Sequence, residues 1–360
     1  MARKLEQYRA KRDFDRTKEP RGEEGRGETP AASGRFVVHQ HNARNLHWDL
    51  RLEHDGVLLS WALPRGVPQL PDRAANRLAV HTEDHPLEYI DFHGEIPAGE
   101  YGAGEMTIWD SGTYEAQKLR DDEVIATFDG ERMSGRYALF QTGGKNWIIH
   151  RMDPPDDPGR VLMPDDLRPM LPRRGALPSD EEKFGYEIAW GGLRTMLWSE
   201  PGHIRKAEAR GVDGLIGRFP ELRRIARVLG STEAVLDGEI VVLDEVGRPS
   251  PTRLRDRKRA SSESVARRLS GQAPAMLMLF DLPFFDGHLL LDSPYEERRR
   301  RLEDLELEGD AWQTPTYHRG DGQGLLAAAR ERRLAGLVAK RLDSPYEPGR
   351  RSDKWIKVDA

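Results

Sequence analysis

Alternation of apolar and polar residues over positions 46–52 constrains the fold of this chain more than any other stretch. Apolar side chains recur at every second position, at Leu46, Trp48, Leu50 and Leu52. A period of two predicts a half-buried β-strand. Similar short runs, separated by turn residues, are predicted as strands at 36–41, 57–63, 77–82, 105–109, 135–141 and 146–151. Their spacing predicts an all-β antiparallel sheet closed into a barrel or a sandwich, and we favour the barrel.

The polar face of this strand carries residues that suit a metal ion. His47 and Asp49 point the same way about 6.6 Å apart, and His41 lies across a short predicted turn. Two imidazoles and a carboxylate suit a divalent transition metal, and Arg51 on the same face is placed to hold a phosphate oxygen. An ordinary solvated strand face is the alternative. The concentration of histidines favours the metal, because seven of the 11 lie between positions 39 and 93.

Composition limits the class of protein. A chain of 360 residues with 37% hydrophobic and 32% charged residues allows two globular domains. No run approaches the ~18 apolar residues of a membrane span, so we expect no membrane partner. The absence of cysteine excludes disulfides and fits a reducing cytoplasm, where we expect the protein to reside. With a net charge of −5, any nucleic-acid binding must come from local basic patches.

The chain changes character twice along its length. Residues 1–35 have the polar, glycine-rich composition of a flexible tail, and residues 96–104 form a glycine-rich loop without the ending of a nucleotide P-loop. Dense prolines predict a linker, giving domains at 1–155 and 183–360 around a Pro-rich linker at 156–182.

The second domain alternates strand-like runs at 184–190, 235–243, 275–280 and 336–340 with helical ones at 219–228 and 295–305, which predicts an α+β fold. Arginines 298–301 are first a solvated helix face and second a nucleic-acid patch.

The first domain resembles the 3′-phosphoesterase domain of the bacterial end-joining DNA ligase D. The matching segments span roughly residues 5–150 and lie at 8–20, 36–41, 46–53, 60–66, 77–81, 83–89 and 96–104. The resemblance implies that residues 8–20 fold onto the site rather than forming a tail. It also implies a reaction that trims a 3′ ribonucleotide and removes a 3′-phosphate from a DNA end, leaving a 3′-hydroxyl.

The resemblance assigns roles to residues of this chain. It implies that His41, His47 and Asp49 hold manganese or another divalent metal. Residues implied to be needed for activity are Arg12, Asp13, Glu19, Arg51, His85 and Tyr89. Arg77 matches a phosphate-binding arginine, and Arg65 stands where the family often has lysine. From its ordinary pKa near neutrality, His85 is a candidate acid or transition-state contact, with a purely structural role as the alternative.

The second domain resembles the adenylation domain of ATP-dependent DNA ligases over roughly residues 165–360. The matching motifs lie at 236–241, 280–287, 336–340 and 354–357. Ala189 stands where the family has the nucleophilic lysine, Gly191 where it has aspartate, and Ala335 where it has a metal-binding glutamate. A lysyl adenylate needs an amine, which alanine lacks. We expect this chain to lack the oligonucleotide-binding barrel that follows in the family, and Lys183 is a poor substitute nucleophile.

These departures predict a ligase-like, nucleotidyltransferase-type domain that has lost self-adenylation. Its degenerate nucleotide pocket is predicted to comprise Ala189, Arg194, Glu239, Phe280, Lys340, Lys354 and Lys357, of which the cationic residues could still bind phosphates, while ATP is doubtful. We expect Lys340→Ala to weaken only nucleotide or DNA affinity. The domain is interpreted as a docking module for DNA or for end-joining or ligase proteins, or equally as a folded remnant without a ligand. An ATP-dependent DNA ligase and a non-catalytic scaffold for DNA ends are the alternative functions of the whole chain.

Overall fold

The computed structural model describes residues 5–22 and 32–360. By compactness the chain divides into two units, Met1–Leu162 and Met163–Ala360. The remaining parts of the predicted flexible tail, residues 1–4 and 23–31, lie outside the described residues.

The first unit contains a closed β-barrel. Nine strands form one antiparallel sheet: β1 Ser33–Asn42, β2 Leu46–His54, β3 Val57–Leu63, β4 Arg77–His81, β5 Gly94–Ile96, β6 Gly104–Leu119, β7 Glu123–Gly130, β8 Ser134–Gly143 and β9 Asn146–Arg151. The order β1-β2-β3-β4-β9-β8-β7-β6 returns to β1, because β6 also pairs with β1, and β5 pairs with β6 outside this ring. The predicted all-β antiparallel barrel is therefore confirmed, although β5 and β7 were not predicted.

The inner face of β2 fills the barrel. Leu46, Trp48, Leu50 and Leu52 are buried together with inward residues of the other strands. Burial of each such side chain stabilises the fold by about 1.5–3 kcal/mol. The period-two pattern therefore identified the inner face of this strand correctly.

The outer face of β2 is also covered, so the prediction of a half-buried strand was wrong. Asp49 is 7% exposed and Arg51 3%. Helix α1 Glu6–Ala10 and the chain that follows it to Gly22, here called the N-terminal strap (residues 5–22), pack on this side with a 3₁₀ turn at Leu87–Asp91. The apolar anchors of this second layer are Tyr8, Val37, Leu58, Tyr89, Ile90, Ile96 and Met106. The strap is thus a packed element, as the family resemblance implies.

The second unit is α+β, as predicted. Its strands are β10 Leu171–Arg174, β11 Phe184–Ala189, β12 Leu193–Glu200, β13 His203–Ala209, β14 Ala234–Val242, β15 Ala275–Phe285, β16 His288–Leu289, β17 Trp312–Gln313, β18 His318–Arg319, β19 Gly336–Arg341 and β20 Arg351–Asp359. They form two sheets, one with the order β10-β20-β19-β11-β18 and the other with the order β13-β12-β14-β15-β16, in which β17 lies beside β15. Its helices are α2 Leu215–Arg218, α3 Ile225–Leu229, α4 Pro251–Lys258, α5 Glu263–Gln272, α6 Tyr295–Glu303 and α7 Gly322–Glu331.

Three details of the second unit differ from expectation. The segment 156–182, interpreted as a linker, includes β10 and the buried Met163 and Met170, so this part packs into the unit. The predicted helix at 219–228 is a 3₁₀ turn, Pro220–Arg224, followed by α3. Arg298 and Arg299 on α6 are fully buried, which contradicts a solvated face or nucleic-acid patch at these two positions. Arg298 is held by both carboxylate oxygens of Asp281.

Within the described part of the chain, no helix is long and apolar enough to span a bilayer.

Candidate functional site

A hairpin brings three potential metal ligands together on the outside of the barrel. The β1–β2 register places His41 directly opposite His47, and Asp49 follows two residues along β2. The Asp49 carboxylate lies 3.8 Å from His41 Nδ1 and 3.8 Å from His47 Nε2. One ligand atom from each residue lies within 4.8 Å of the other two. The three side chains therefore form a compact cluster, here called the triad.

The outer nitrogens of both imidazoles are engaged in a way that suits metal binding. His41 Nε2 lies 2.8 Å from the carbonyl oxygen of Gly102, and His47 Nδ1 lies 2.9 Å from that of Asn45. Since a carbonyl only accepts, these two nitrogens carry the protons. In the tautomers that these contacts select, the nitrogens that face Asp49 carry no proton. Metal-binding histidines usually donate their second N–H to a carbonyl or carboxylate, so the donor set fits a divalent cation.

The pKa values of Asp49 and His41 are both shifted in the direction that suits metal binding. Burial would raise the pKa of Asp49, but Arg51 and the nearby imidazoles outweigh it and leave that pKa below its ordinary value. Burial, together with the neighbouring His47, lowers the pKa of His41 even though Asp49 opposes the shift. At neutral pH the triad therefore offers one carboxylate and a neutral imidazole at His41.

Arg51 is buried beside the triad. Its Nη2 donates to Asp49 at 3.1 Å, its Nη1 to Ser60 Oγ at 2.9 Å and its Nε to His39 Nδ1 at 3.4 Å. Sequence analysis placed Arg51 as a phosphate ligand, and the structure shows its donors directed at protein groups. Arg51 still lines the cavity in front of the triad.

The N-terminal strap carries a second guanidinium group to this cavity. Arg12 is held by Glu19 at 2.7 Å and by Glu83 at 3.5 Å, and its Nη2 lies 3.3 Å from His85 Nε2. The Tyr89 hydroxyl donates to Glu19 at 2.9 Å. These contacts tie the strap to the barrel, and they bring together Arg12, Glu19, His85 and Tyr89 as the resemblance implies.

His85 is arranged as a neutral hydrogen-bonding group. Its Nδ1 lies 2.8 Å from the carbonyl oxygen of Glu83, so Nε2 accepts from Arg12. Burial, followed by the charges of Arg51 and Arg12, holds the pKa of His85 well below its ordinary value. Imidazolium chemistry at neutral pH, one of the two roles considered from sequence, is therefore disfavoured.

The cavity in front of the triad has a volume of about 320 Å³. Of the residues predicted from sequence, Arg12, His41, His47, Asp49, Arg51, His85 and Tyr89 line it. Glu19 lies behind Arg12 and Tyr89. Asp13 accepts from the amide of Asp15 in an exposed turn, and neither it nor Arg65 nor Arg77 belongs to the lining among the described residues.

Glu83 and Tyr101 are among the lining residues that sequence analysis did not assign to the site. Glu83 is buried and pairs with Lys11 at 2.9 Å as well as with Arg12. Burial alone would raise the pKa of Glu83, but the hydrogen bond from Lys11 and the charges of Lys11 and Arg12 lower that pKa below its ordinary value. Tyr101 lies in the glycine-rich loop. The basic pair Lys11 and Arg12 is the sequence signal that could have identified Glu83. Cations in a segment that packs on the barrel need an acidic partner there.

Two cations of the predicted nucleotide pocket, Arg194 and Lys340, meet at the Phe280 ring and are both engaged in internal ion pairs. Arg194 binds both carboxylate oxygens of Asp237 at 2.7 and 2.6 Å, and its guanidinium lies 4.4 Å from the Phe280 ring centre. Lys340 is 1% exposed and pairs with Glu187 at 2.7 Å. Ala189 is buried on β11, and burial is the main cause that raises the pKa of Glu239. Lys354 pairs with Glu347, and Lys357 is half-buried on β20.

These ion pairs change the expected effect of Lys340→Ala. Removing the ammonium group leaves Glu187 in a buried site without its closest cation, which costs about 3–5 kcal/mol. We therefore expect a loss of stability in the second unit rather than a loss of affinity alone. Hydrogen exchange of the β11 and β19 amides in urea measures it. Lys354→Ala, in a partly exposed pair, is the matched control and should cost at most about 1 kcal/mol. Equal protection of these amides in the two variants would contradict a structural role for Lys340.

Comparisons with known families agree with the division of the chain. Residues 39–141 match the family described as DNA Ligase D 3′-phosphoesterase domain, and residues 174–359 match the ATP dependent DNA ligase domain. A multifunctional non-homologous end joining protein LigD from Mycolicibacterium smegmatis is 41% identical over 99% of this chain and 46% of its own length. The protein of the same description from Pseudomonas aeruginosa is 37% identical over 98% of this chain and 47% of its own.

The chain thus spans about half the length of these curated relatives. Among solved structures, a mycobacterial DNA ligase D complexed with ATP and MES matches with a TM-score of 0.47 and 32% identity, over 55% of this chain and 62% of that one.

Proposed function

The chain belongs to the LigD family of non-homologous end joining proteins, and from that premise we propose that its first unit is a metal-dependent 3′-phosphoesterase. Its substrates are DNA ends that carry a 3′-phosphate or a 3′-ribonucleotide, which it heals during double-strand-break repair in the cytoplasm. The observation that supports this most is the triad, whose outer histidine nitrogens are bound to carbonyls while the inner ones face Asp49 beside two guanidinium groups.

In the proposed reaction the chain supplies ligands, charge and position. Hydrolysis breaks the bond between phosphorus and the 3′ oxygen, water provides the new oxygen of the phosphate, and the primer keeps a 3′-hydroxyl. When bound, Mn²⁺ or another divalent cation supplies a Lewis acid and lowers the pKa of a water. His41, His47 and Asp49 are the residues that would hold it. Arg12 offsets the negative charge of the transferring phosphoryl group.

The remaining residues position these groups. Neutral His85 and the carboxyl groups of Glu19 and Glu83 hold Arg12 against the cavity, while Arg51 orients the Asp49 carboxylate. Burial raises the pKa of Tyr89 well above its ordinary value, so its phenol stays protonated and donates to Glu19. The roles of Asp13 and the phosphate contacts of Arg65 and Arg77 stay predictions.

The proposal is tested with the purified protein and a primer that ends in a 3′-phosphate. With Mn²⁺ we expect release of inorganic phosphate and a primer that a polymerase extends. The same primer phosphorylated at its 5′ end is the matched control and should be left intact. A second primer ending in one ribonucleotide should be shortened. No release from the 3′-phosphate with any divalent metal would contradict the proposal and favour a non-catalytic scaffold.

For the second unit we propose loss of self-adenylation and a role in docking DNA or end-joining or ligase proteins. Ala189 has no amine, and Lys340 and Arg194 are committed to Glu187 and Asp237. We therefore expect no covalent adenylate after incubation with ATP labelled at the α-phosphate. A labelled chain would contradict this and restore the interpretation as an ATP-dependent DNA ligase. Loss of that label in Lys183→Ala would identify the substitute nucleophile.

A further inference from the structure

An exposed aromatic ring stands at the edge of the triad cavity. Tyr101 lines the cavity and is nevertheless 51% exposed, so one part of its ring faces the site and another faces solvent. It has no role in the proposed hydrolysis. Resting on the proposed function, we propose that Tyr101 forms a nucleobase subsite, on which the base of the 3′-terminal nucleotide stacks while its phosphate enters the cavity.

The loop that carries Tyr101 is fastened to the triad. Gly99 with φ +96° and Gly102 with φ +77° adopt backbone conformations that favour glycine on either side of the ring. The Gly102 carbonyl accepts the hydrogen bond of His41 Nε2 at 2.8 Å, one residue away from Tyr101. At Gly104 an added Cβ would come within 2.5 Å of the Asn42 carbonyl oxygen, so the loop packs tightly on β1. The ring therefore has a defined position relative to the metal ligands.

Cations of the strap surround the same ring. Lys11 Nζ lies 4.7 Å from the ring centre and the Arg12 guanidinium 5.6 Å. Lys11 also donates to Glu83 at 2.9 Å and contacts the Tyr101 hydroxyl at 3.4 Å. Aromatic rings beside positive charges are the combination with which proteins bind single-stranded nucleic acid, since the ring stacks on a base and the cations attract phosphates.

The size of the cavity indicates where the base must lie. At about 320 Å³ the cavity is at the small end of the range of about 300–1,000 Å³ for ligand pockets. It therefore suits a terminal phosphate and part of its sugar. The base attached to that sugar then lies toward the rim, where Tyr101 is exposed. Stacking of this kind tolerates all four bases, because every base has a π-face.

The test compares two primers that both end in a 3′-phosphate, one with an ordinary terminal nucleotide and one with an abasic tetrahydrofuran residue in its place. For Tyr101→Ala we expect KM for the ordinary primer to rise about tenfold with little change in kcat, whereas KM for the abasic primer stays at the wild-type value. Tyr101→Phe keeps the ring and should behave as wild type. Phe140→Ala removes an exposed aromatic residue of the same unit outside the cavity and is the control.

Other outcomes would overturn the subsite. If Tyr101→Ala impairs both primers equally, the ring only supports Lys11 and Arg12; if it impairs neither, no base stacks there. Dissociation constants of the two fluorescent primers, measured by anisotropy without added metal, give the same comparison without turnover. If the wild-type protein releases no phosphate, the proposed phosphoesterase activity is contradicted. The dissociation constants would still show whether a base stacks on Tyr101.

Discussion

Replacing His47 by alanine is expected to lower the rate of phosphate release from a 3′-phosphorylated primer at least about a thousandfold. The substitution removes one of the imidazole nitrogens that face Asp49, and a catalytic metal contributes several kcal/mol to charge stabilisation at about 1.4 kcal/mol per tenfold in rate. The fold should survive, because the His47 side chain is 24% exposed and its Nδ1 hydrogen-bonds the carbonyl of Asn45, only two residues away. Phosphate release and circular dichroism measure the two effects.

His54→Ala is the matched control for this prediction. His54 lies on the same strand outside the cavity and pairs with Asp55, so its loss should leave the rate unchanged. Asp49→Asn should be as inactive as His47→Ala while conserving shape next to Arg51. Full activity of His47→Ala and Asp49→Asn would place the reaction elsewhere in the molecule.

Arg12→Ala is expected to lower the same rate by about a hundredfold to a thousandfold, the usual effect of removing one donor that stabilises transition-state charge. Arg12 is the strap residue that reaches the cavity, and its charge is held there by Glu19 and Glu83. Its removal also leaves Glu19 buried without that cation, so the strap should open more often. Steady-state kinetics measure the first effect, and faster proteolysis within residues 5–22 measures the second.

Two further variants sharpen this prediction. Arg16→Ala removes an arginine of the same strap whose side chain is 63% exposed, and its pair with Glu100 contributes little, so activity and proteolysis should match wild type. Arg12→Lys keeps the charge but not the planar fork that contacts Glu19, Glu83 and His85, and we expect it to recover only part of the rate. Normal activity of Arg12→Ala would exclude the strap from the site.

Local patterns predicted those parts of the molecule that depend on neighbouring residues. The period of two placed Trp48 and its apolar companions inside the barrel, and the same period placed His47 and Asp49 on one face. The hairpin that sets His41 opposite His47 also spans only a few residues. Such features follow from strand geometry, and a sequence contains them directly.

Features that depend on distant packing could not be predicted from residues alone. The composition of the N-terminus indicated a flexible tail, whereas the side chains of Arg12 and Tyr8 are buried against residues about 70 to 80 positions away. The burial of Asp49 and Arg51 follows from the same layer. The four consecutive arginines of α6 do not indicate by themselves that Arg298 and Arg299 are buried. Their partners, Asp281 on β15 and Glu187 on β11, are distant in the sequence.

The most direct test of the central claim is a titration of the metal-free protein with Mn²⁺, in which bound metal is followed by electron paramagnetic resonance and phosphate release is measured on the same samples. The triad predicts one tightly bound Mn²⁺ per chain, a rate that rises in proportion to its occupancy, and loss of both in His47→Ala. Phosphate release that continues without bound metal, or tight Mn²⁺ binding that His47→Ala leaves unchanged, would contradict the account.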